Sequence, residues 1–150
     1  PLQDAQRALG LSRQLSSKYG IDPHKIGILG FSAGGHLSAV ASNNFSTRTY
    51  PSVDSADTEV CRPDFTILIY PAYLTQNSDR AKLTPELAVT KETPPAFIAM
   101  TADDPVRVEN AFVYALALKN VQSFMFVGYL LSAWRSESNP TVPNPNRNIS

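Results

Sequence analysis

The stretch that most constrains this chain is Gly30-Phe31-Ser32-Ala33-Gly34. A short apolar run, Ile26-Gly27-Ile28-Leu29, precedes it, and a helix-compatible run, Gly35 to Asn43, follows. The spacing is G-x-S-x-G between a strand and a helix, which only a sharp bend can accommodate. Such a bend thrusts a serine hydroxyl outward at the cost of a strained φ/ψ at Ser32. Side chains at Gly30 and Gly34 would collide in it, so both positions are expected to require glycine. The helix that follows aims its free N–H groups and dipole at whatever lies over the bend. A serine placed this way is a candidate nucleophile, and the N–H of Ala33 is the first candidate donor to an oxyanion. In 150 residues about 0.05 chance matches to the pattern are expected from ordinary Gly and Ser frequencies, so the motif carries weight.

The flanks order themselves around it. Leu2 to Tyr19 reads as one amphipathic helix with Ala5, Ala8, Leu9, Ser12 and Leu15 on a single face, stopped by Gly20. His24 falls in the turn before the first strand, a solvated position. The bend helix spans Ala33 to Asn43, with Leu37, Val40 and Ala41 facing the sheet. Phe45 to Pro63 is a polar loop holding Arg48, Tyr50, Asp54 and Asp57. Phe65 to Tyr70, closed by Pro71, reads as a buried strand. Ala72 to Pro95 is long and irregular, a length that suits a roof over a cleft. Ala96 to Met100 is the next strand, with Asp103 and Asp104 at its carboxyl end. Val106 to Asn120 is a helix with Val108, Ala111, Phe112, Ala115, Leu116 and Leu118 apolar, and Gln122 to Val127 a last strand. Strand and helix alternate, which predicts a parallel α/β sheet of about four strands with ligands at the carboxyl ends. Ser32 and Asp104 both fall at such ends.

Composition narrows the function classes. Formal net charge is zero and no basic block is present, which argues against nucleic acid. Hydrophobic residues make up 43% and charged residues 17%, as in a globular domain, and no apolar run reaches membrane-spanning length. The single Cys61 rules out an internal disulfide and a cysteine-based metal site; it reads as a small apolar residue beside the next strand. The chain opens at Pro1, without Met and inside a helical pattern, so it reads as a fragment that carries no information on compartment.

Phe31-Ser32-Ala33-Gly34-Gly35-His36-Leu37 and Pro1-Leu2-Gln3-Asp4-Ala5 resemble the α/β-hydrolase esterases of the xylanase-associated carbohydrate-esterase group. Cys61-Arg62-Pro63-Asp64-Phe65, Lys91-Glu92-Thr93-Pro94-Pro95 and Asp103-Asp104-Pro105-Val106 extend the likeness over about residues 1–120. The resemblance implies a partial α/β-hydrolase fold over 1–128 with its first strands missing, and a serine hydrolase of carboxylic esters. The implied substrates are acetyl or related acyl groups on small or oligosaccharide carbohydrate esters. It implies no metal and no organic cofactor, and it leaves oligomeric state open. A polysaccharide substrate would suggest export. Ser32 matches the nucleophile and Asp104 the acid that orients a histidine. Asp103 is the fallback acid and is expected to cap the next helix.

The implied order is Ser, Asp, His, yet the only histidines are His24 and His36, and both precede Asp104. His36, one turn along the bend helix, is expected to be a packing or supporting residue, with a substitute base as the minor alternative. Near Asn120 the likeness ends, and 129–150 is an irregular, Asn/Pro/Ser-rich tail. A shifted reading frame would account for it: with one choice of codons, Val121 to Phe126 read two bases on gives Pro-Glu-Leu-His-Val, similar to the family's last strand. The family's second oxyanion donor lies upstream of Pro1. Loss of one donor costs about 100- to 1000-fold and loss of the histidine about a million-fold, so the chain as written is expected to be nearly inactive. A peptidase on the same fold and a non-catalytic binding relative are the rival readings.

Overall fold

The computed structural model describes residues 1–102, 104–118 and 124–128. Asp103, the start of the proposed last strand at Gln122 and the tail 129–150 lie outside the described residues.

The first helix breaks in two. Helix α1 covers Leu2–Gln14 and α2 covers Ser16–Tyr19, with Leu15 between them at φ −86, ψ 1. Gly20 ends α2 in the left-handed region, φ 66, as a helix-terminal glycine does. The buried face of α1 is not the expected one. Gln6, Leu9 and Gly10 are buried, while Ala8 and Ser12 are exposed. The reason is the partner: α1 lies against the polar segment 45–60 rather than an apolar sheet. Gln6 there donates to the carbonyls of Asn44 (2.7 Å) and Thr47 (3.1 Å) and accepts from the Thr49 N–H (3.0 Å). Gly10 sits so close that a Cβ would lie 2.6 Å from the Ala56 carbonyl oxygen and 2.7 Å from Arg48.

The sheet has four parallel strands in the order β1-β2-β3-β4: Gly27–Phe31, Phe65–Ile69, Ala96–Thr101 and Phe124–Gly128. Helix α3 (Ala33–Asn43) follows β1, and α4 (Pro105–Ala117) links β3 to β4. Both helices cover the same face. The core there joins Leu68 and Ile98 from the strands, Ala39 and Val40 from α3, Ala111, Tyr114 and Leu118 from the α4 region, and Leu74 and Leu87 from the long loop. Tyr114, absent from the expected apolar stripe, is fully buried, whereas Phe112 and Leu116 are exposed. Its ring fills the core while its hydroxyl accepts from Asn43 Nδ2 at 2.9 Å, which permits a tyrosine where a hydrocarbon was expected.

The opposite face departs from the expectation of fully buried strands. Leu29, Phe31, Phe65 and Phe97 stay open to solvent, and in register they form a patch: Leu29 opposite Ile67 opposite Phe97, and Gly27 opposite Phe65. Period-two alternation sends even and odd positions to opposite faces, and the described helices cover only one.

Candidate active site

The bend between β1 and α3 begins with a close approach. A Cβ on Gly30 would lie 2.0 Å from the Gly34 carbonyl oxygen and 2.6 Å from Ser38 Oγ, so α3 can rise from the strand only over bare backbone. The second expected collision is misplaced by one residue. A Cβ on Gly34 would meet nothing within 4 Å, whereas one on Gly35 would lie 2.9 Å from Pro71 Cβ. Gly34 already follows the helical path, so its Cβ vector points outward, while Gly35 faces the segment that leaves β2.

Ser32 sits at the apex with φ 52, ψ −118. A left-handed φ strains a non-glycine residue and persists only where neighbours hold it. The Ser32 N–H donates to the Ile69 carbonyl (3.1 Å), and its carbonyl accepts from the N–H of His36 (3.2 Å) and of Ala72 (3.1 Å). The bend is thus pinned to the end of β2 on one side and to its own helix on the other. Two further non-glycine residues with positive φ, Tyr70 (36) and Tyr73 (58), stand at the same rim. The Ser32 hydroxyl makes no hydrogen bond to a described residue. Ala33 and Gly34 precede the first intrahelical donor, His36, so their N–H groups are open to a ligand. Phe31 lies beside the bend, half exposed, its ring 5.8 Å from that of Tyr70.

Asp104 stands at the carboxyl end of β3, half-buried, and its carbonyl accepts from the Val108 N–H at 3.0 Å. It therefore holds the residue position just before α4, which starts at Pro105. With β2 between β1 and β3, Ser32 and Asp104 rise from strands about 10 Å apart along one rim.

His36 is engaged elsewhere. Its Nε2 lies 3.2 Å from Glu86 Oε1, and its ring meets Tyr73 edge-on at 6.2 Å. Glu86 is held below the usual carboxylate range by its own backbone N–H and, to a lesser degree, by His36, against the opposing effect of burial. The Asn44 side chain also binds the Glu86 carbonyl (2.8 Å). These contacts fasten the loop 72–95 to α3. The loop's irregular length was legible, but Tyr73 and Glu86 were missed, because contacts 37 and 50 residues apart leave no periodic trace.

Between this loop and α4 lies a cavity of about 220 Å³ lined by Ala72, Tyr73, Thr75, Asn77, Arg80 and Asn110, among others. A larger cavity, about 560 Å³, lies away from the bend around Arg13, Pro23, His24, Arg62 and Asp64. Its polar groups are spent on one another: Arg13 binds the carbonyls of Val60 (3.0 Å), Arg62 (2.8 Å) and Pro23, and Asp64 at 3.3 Å. His24 there is exposed. Among the described residues no cluster of three or more His, Cys, Asp or Glu could hold a metal ion, and no helix is long and apolar enough to cross a membrane.

The comparisons with known proteins agree with this fold. The acetylxylan esterase of Xylanibacter ruminicola is 33% identical over 142 residues, 80% of this chain and 27% of that protein. Endo-1,4-beta-xylanase B of Butyrivibrio fibrisolvens is 36% identical over 137 residues, 79% of this chain and 21% of that protein. A solved structure, the acetyl ester-xyloside bifunctional hydrolase of Caldicellulosiruptor lactoaceticus, superposes with a TM-score of 0.70 at 33% identity over 86% of this chain and 54% of its own. The chain thus spans about a quarter of the curated relatives and about half of the solved one. The family model for the alpha/beta hydrolase fold matches residues 1–127. The bend, the parallel sheet and this match together place the chain in the alpha/beta hydrolase fold family.

Proposed function

We propose that this chain is the nucleophile-bearing part of a serine hydrolase of carboxylic esters, acting on acylated carbohydrate. The observation that carries the reading is Ser32: a strained bend residue whose hydroxyl has no hydrogen bond to a described residue, beside N–H groups that precede the first intrahelical donor, and on the rim that also bears Asp104. The likeness to an acetylxylan esterase supports acetyl-type substrates.

In this reading Ser32 Oγ attacks the ester carbonyl carbon while a histidine takes its proton. The carbonyl oxygen becomes an oxyanion held by the Ala33 N–H. The histidine returns the proton to the departing alcohol, and water, activated the same way, releases the acid and restores Ser32. Asp104 fixes the tautomer of the imidazole. A ring with a hydrogen bond of about 3 Å on each side fits between groups raised from strands on the order of 10 Å apart. Neither histidine follows Asp104 in the sequence, and His36 is held by Glu86, so the chain on its own is slow.

That deficit supplies the test. Turnover of 4-nitrophenyl acetate is followed with increasing free imidazole for the chain and for Ser32→Ala. Imidazole-dependent turnover above the solution reaction in the parent alone supports the reading; equal turnover in both ends it. A rival reading, a non-catalytic carbohydrate- or protein-binding relative, expects that second outcome.

A further inference from the structure

Resting on the ester-hydrolase reading, we propose that the cavity between loop 72–95 and α4 receives the alcohol half of the substrate, a single sugar unit bearing a carboxylate. Its position supports this. Ala72, which lines it, donates its N–H to the Ser32 carbonyl at 3.1 Å, so one wall of the cavity is tied to the bend that carries the candidate nucleophile. Asn110, on the opposite wall, stands in the second turn of the helix that starts after Asp104. A volume of about 220 Å³ is below the range of drug-sized sites and suits one monosaccharide ring.

The lining has the chemistry for a hydroxylated ring. Thr75 Oγ1 donates to Asn110 Oδ1 at 2.6 Å, which turns the Asn110 amide and leaves its Nδ2 donors without a partner among the described residues. The Asn77 amide, also in the lining, likewise has no partner among the described residues. Tyr73, 68% exposed and in edge contact with His36, offers a flat face on which a pyranose can rest. Among the described residues Arg80 lines the cavity and no acid does. The adjacent Asp79 is already spent on Lys82 Nζ (3.0 Å) and the Ala81 N–H (3.1 Å). A planar guanidinium with no partner among the described residues matches a carboxylate.

The test reads binding by the whole chain without turnover, so it fails separately from the esterase reading. Xylotriose, xylotriose carrying a glucuronosyl group, and sodium acetate are titrated calorimetrically at low salt. The uronate ligand is expected to bind about three- to fivefold more tightly than the neutral one, the range of an exposed ion pair. The preference shrinks toward parity in 0.5 M salt as screening rises (about 4 Å Debye length). Arg80→Gln brings the uronate ligand down to the affinity of xylotriose, whereas Asn77→Ala and Asn110→Ala weaken both sugars about fivefold. No binding of either sugar, equal binding of the two by the parent, a preference that survives Arg80→Gln, or acetate as effective as the uronate sugar would each overturn the proposal.

Discussion

Two glycines of one motif are expected to respond to the same substitution in opposite directions. In Gly30→Ala the new methyl lies 2.0 Å from the Gly34 carbonyl oxygen and 2.2 Å from its carbon, both backbone atoms that no rotamer change can move. Overpacking of this kind costs about 1–3 kcal/mol, and a backbone obstacle puts it at the upper end. Restricting the unfolded chain returns about 0.4–1 kcal/mol, so the net loss is about 2 kcal/mol. In Gly34→Ala the methyl meets nothing within 4 Å and sits in a helix. There alanine is favoured by about 0.8–1 kcal/mol. The two variants therefore differ by about 3 kcal/mol. In a 150-residue chain that is about 6–12 °C between melting midpoints, with the parent in between. Urea unfolding followed by far-UV circular dichroism measures both. If Gly30→Ala unfolds with the parent, or if Gly34→Ala is the less stable of the pair, the described bend is wrong.

Other consequences can be checked with the same unfolding assay. Burial pushes the Tyr114 hydroxyl up to about 12 from 10.0, against a smaller opposing effect of its bond from Asn43. A raised tyrosine pKa contributes stability below the unfolded value that is lost as pH climbs through the folded one. Unfolding free energy should therefore fall by about 2–3 kcal/mol between pH 10 and 12, and Tyr114→Phe should flatten that slope; an unchanged slope refutes the burial. Asp57, its side chain enclosed by Tyr50 (2.6 Å), the Val53 N–H (2.8 Å) and Arg7 (3.0 Å), is held well below the usual carboxylate range, first by the Tyr50 hydroxyl. A depressed carboxyl stabilises above its unfolded value, so stability should decline as pH drops below about 4, less steeply in Asp57→Asn. Leu68→Ala, on the covered face, should cost about 2–5 kcal/mol, whereas Phe97→Thr, on the open face, should cost less than about 1 kcal/mol and raise solubility. Equal costs would mean that both faces are buried.

The bend was legible because its evidence is local. A strand, a glycine-flanked serine and a helix occupy 17 consecutive positions, 27–43, and the steric logic of each follows from chain geometry alone. The parallel sheet and the placing of Ser32 and Asp104 at strand carboxyl ends followed as well, since strand and helix alternate along the chain. The precise neighbours did not. Whether Gly34 or Gly35 needed to be bare turned on where Pro71 passes, and the buried face of α1 turned on a polar loop more than 30 residues later.

By itself, then, the order of residues determined where the chain must bend, which serine that bend presents and what class of sheet surrounds it. These depend on torsions and on contacts a few positions apart. Only the tertiary structure decided that Glu86 holds His36, that Tyr73, Arg80 and Asn110 share one cavity, and that the described helices cover a single face of the sheet. Those outcomes depend on which distant segments pack together, and that is settled by the competition among all contacts at once.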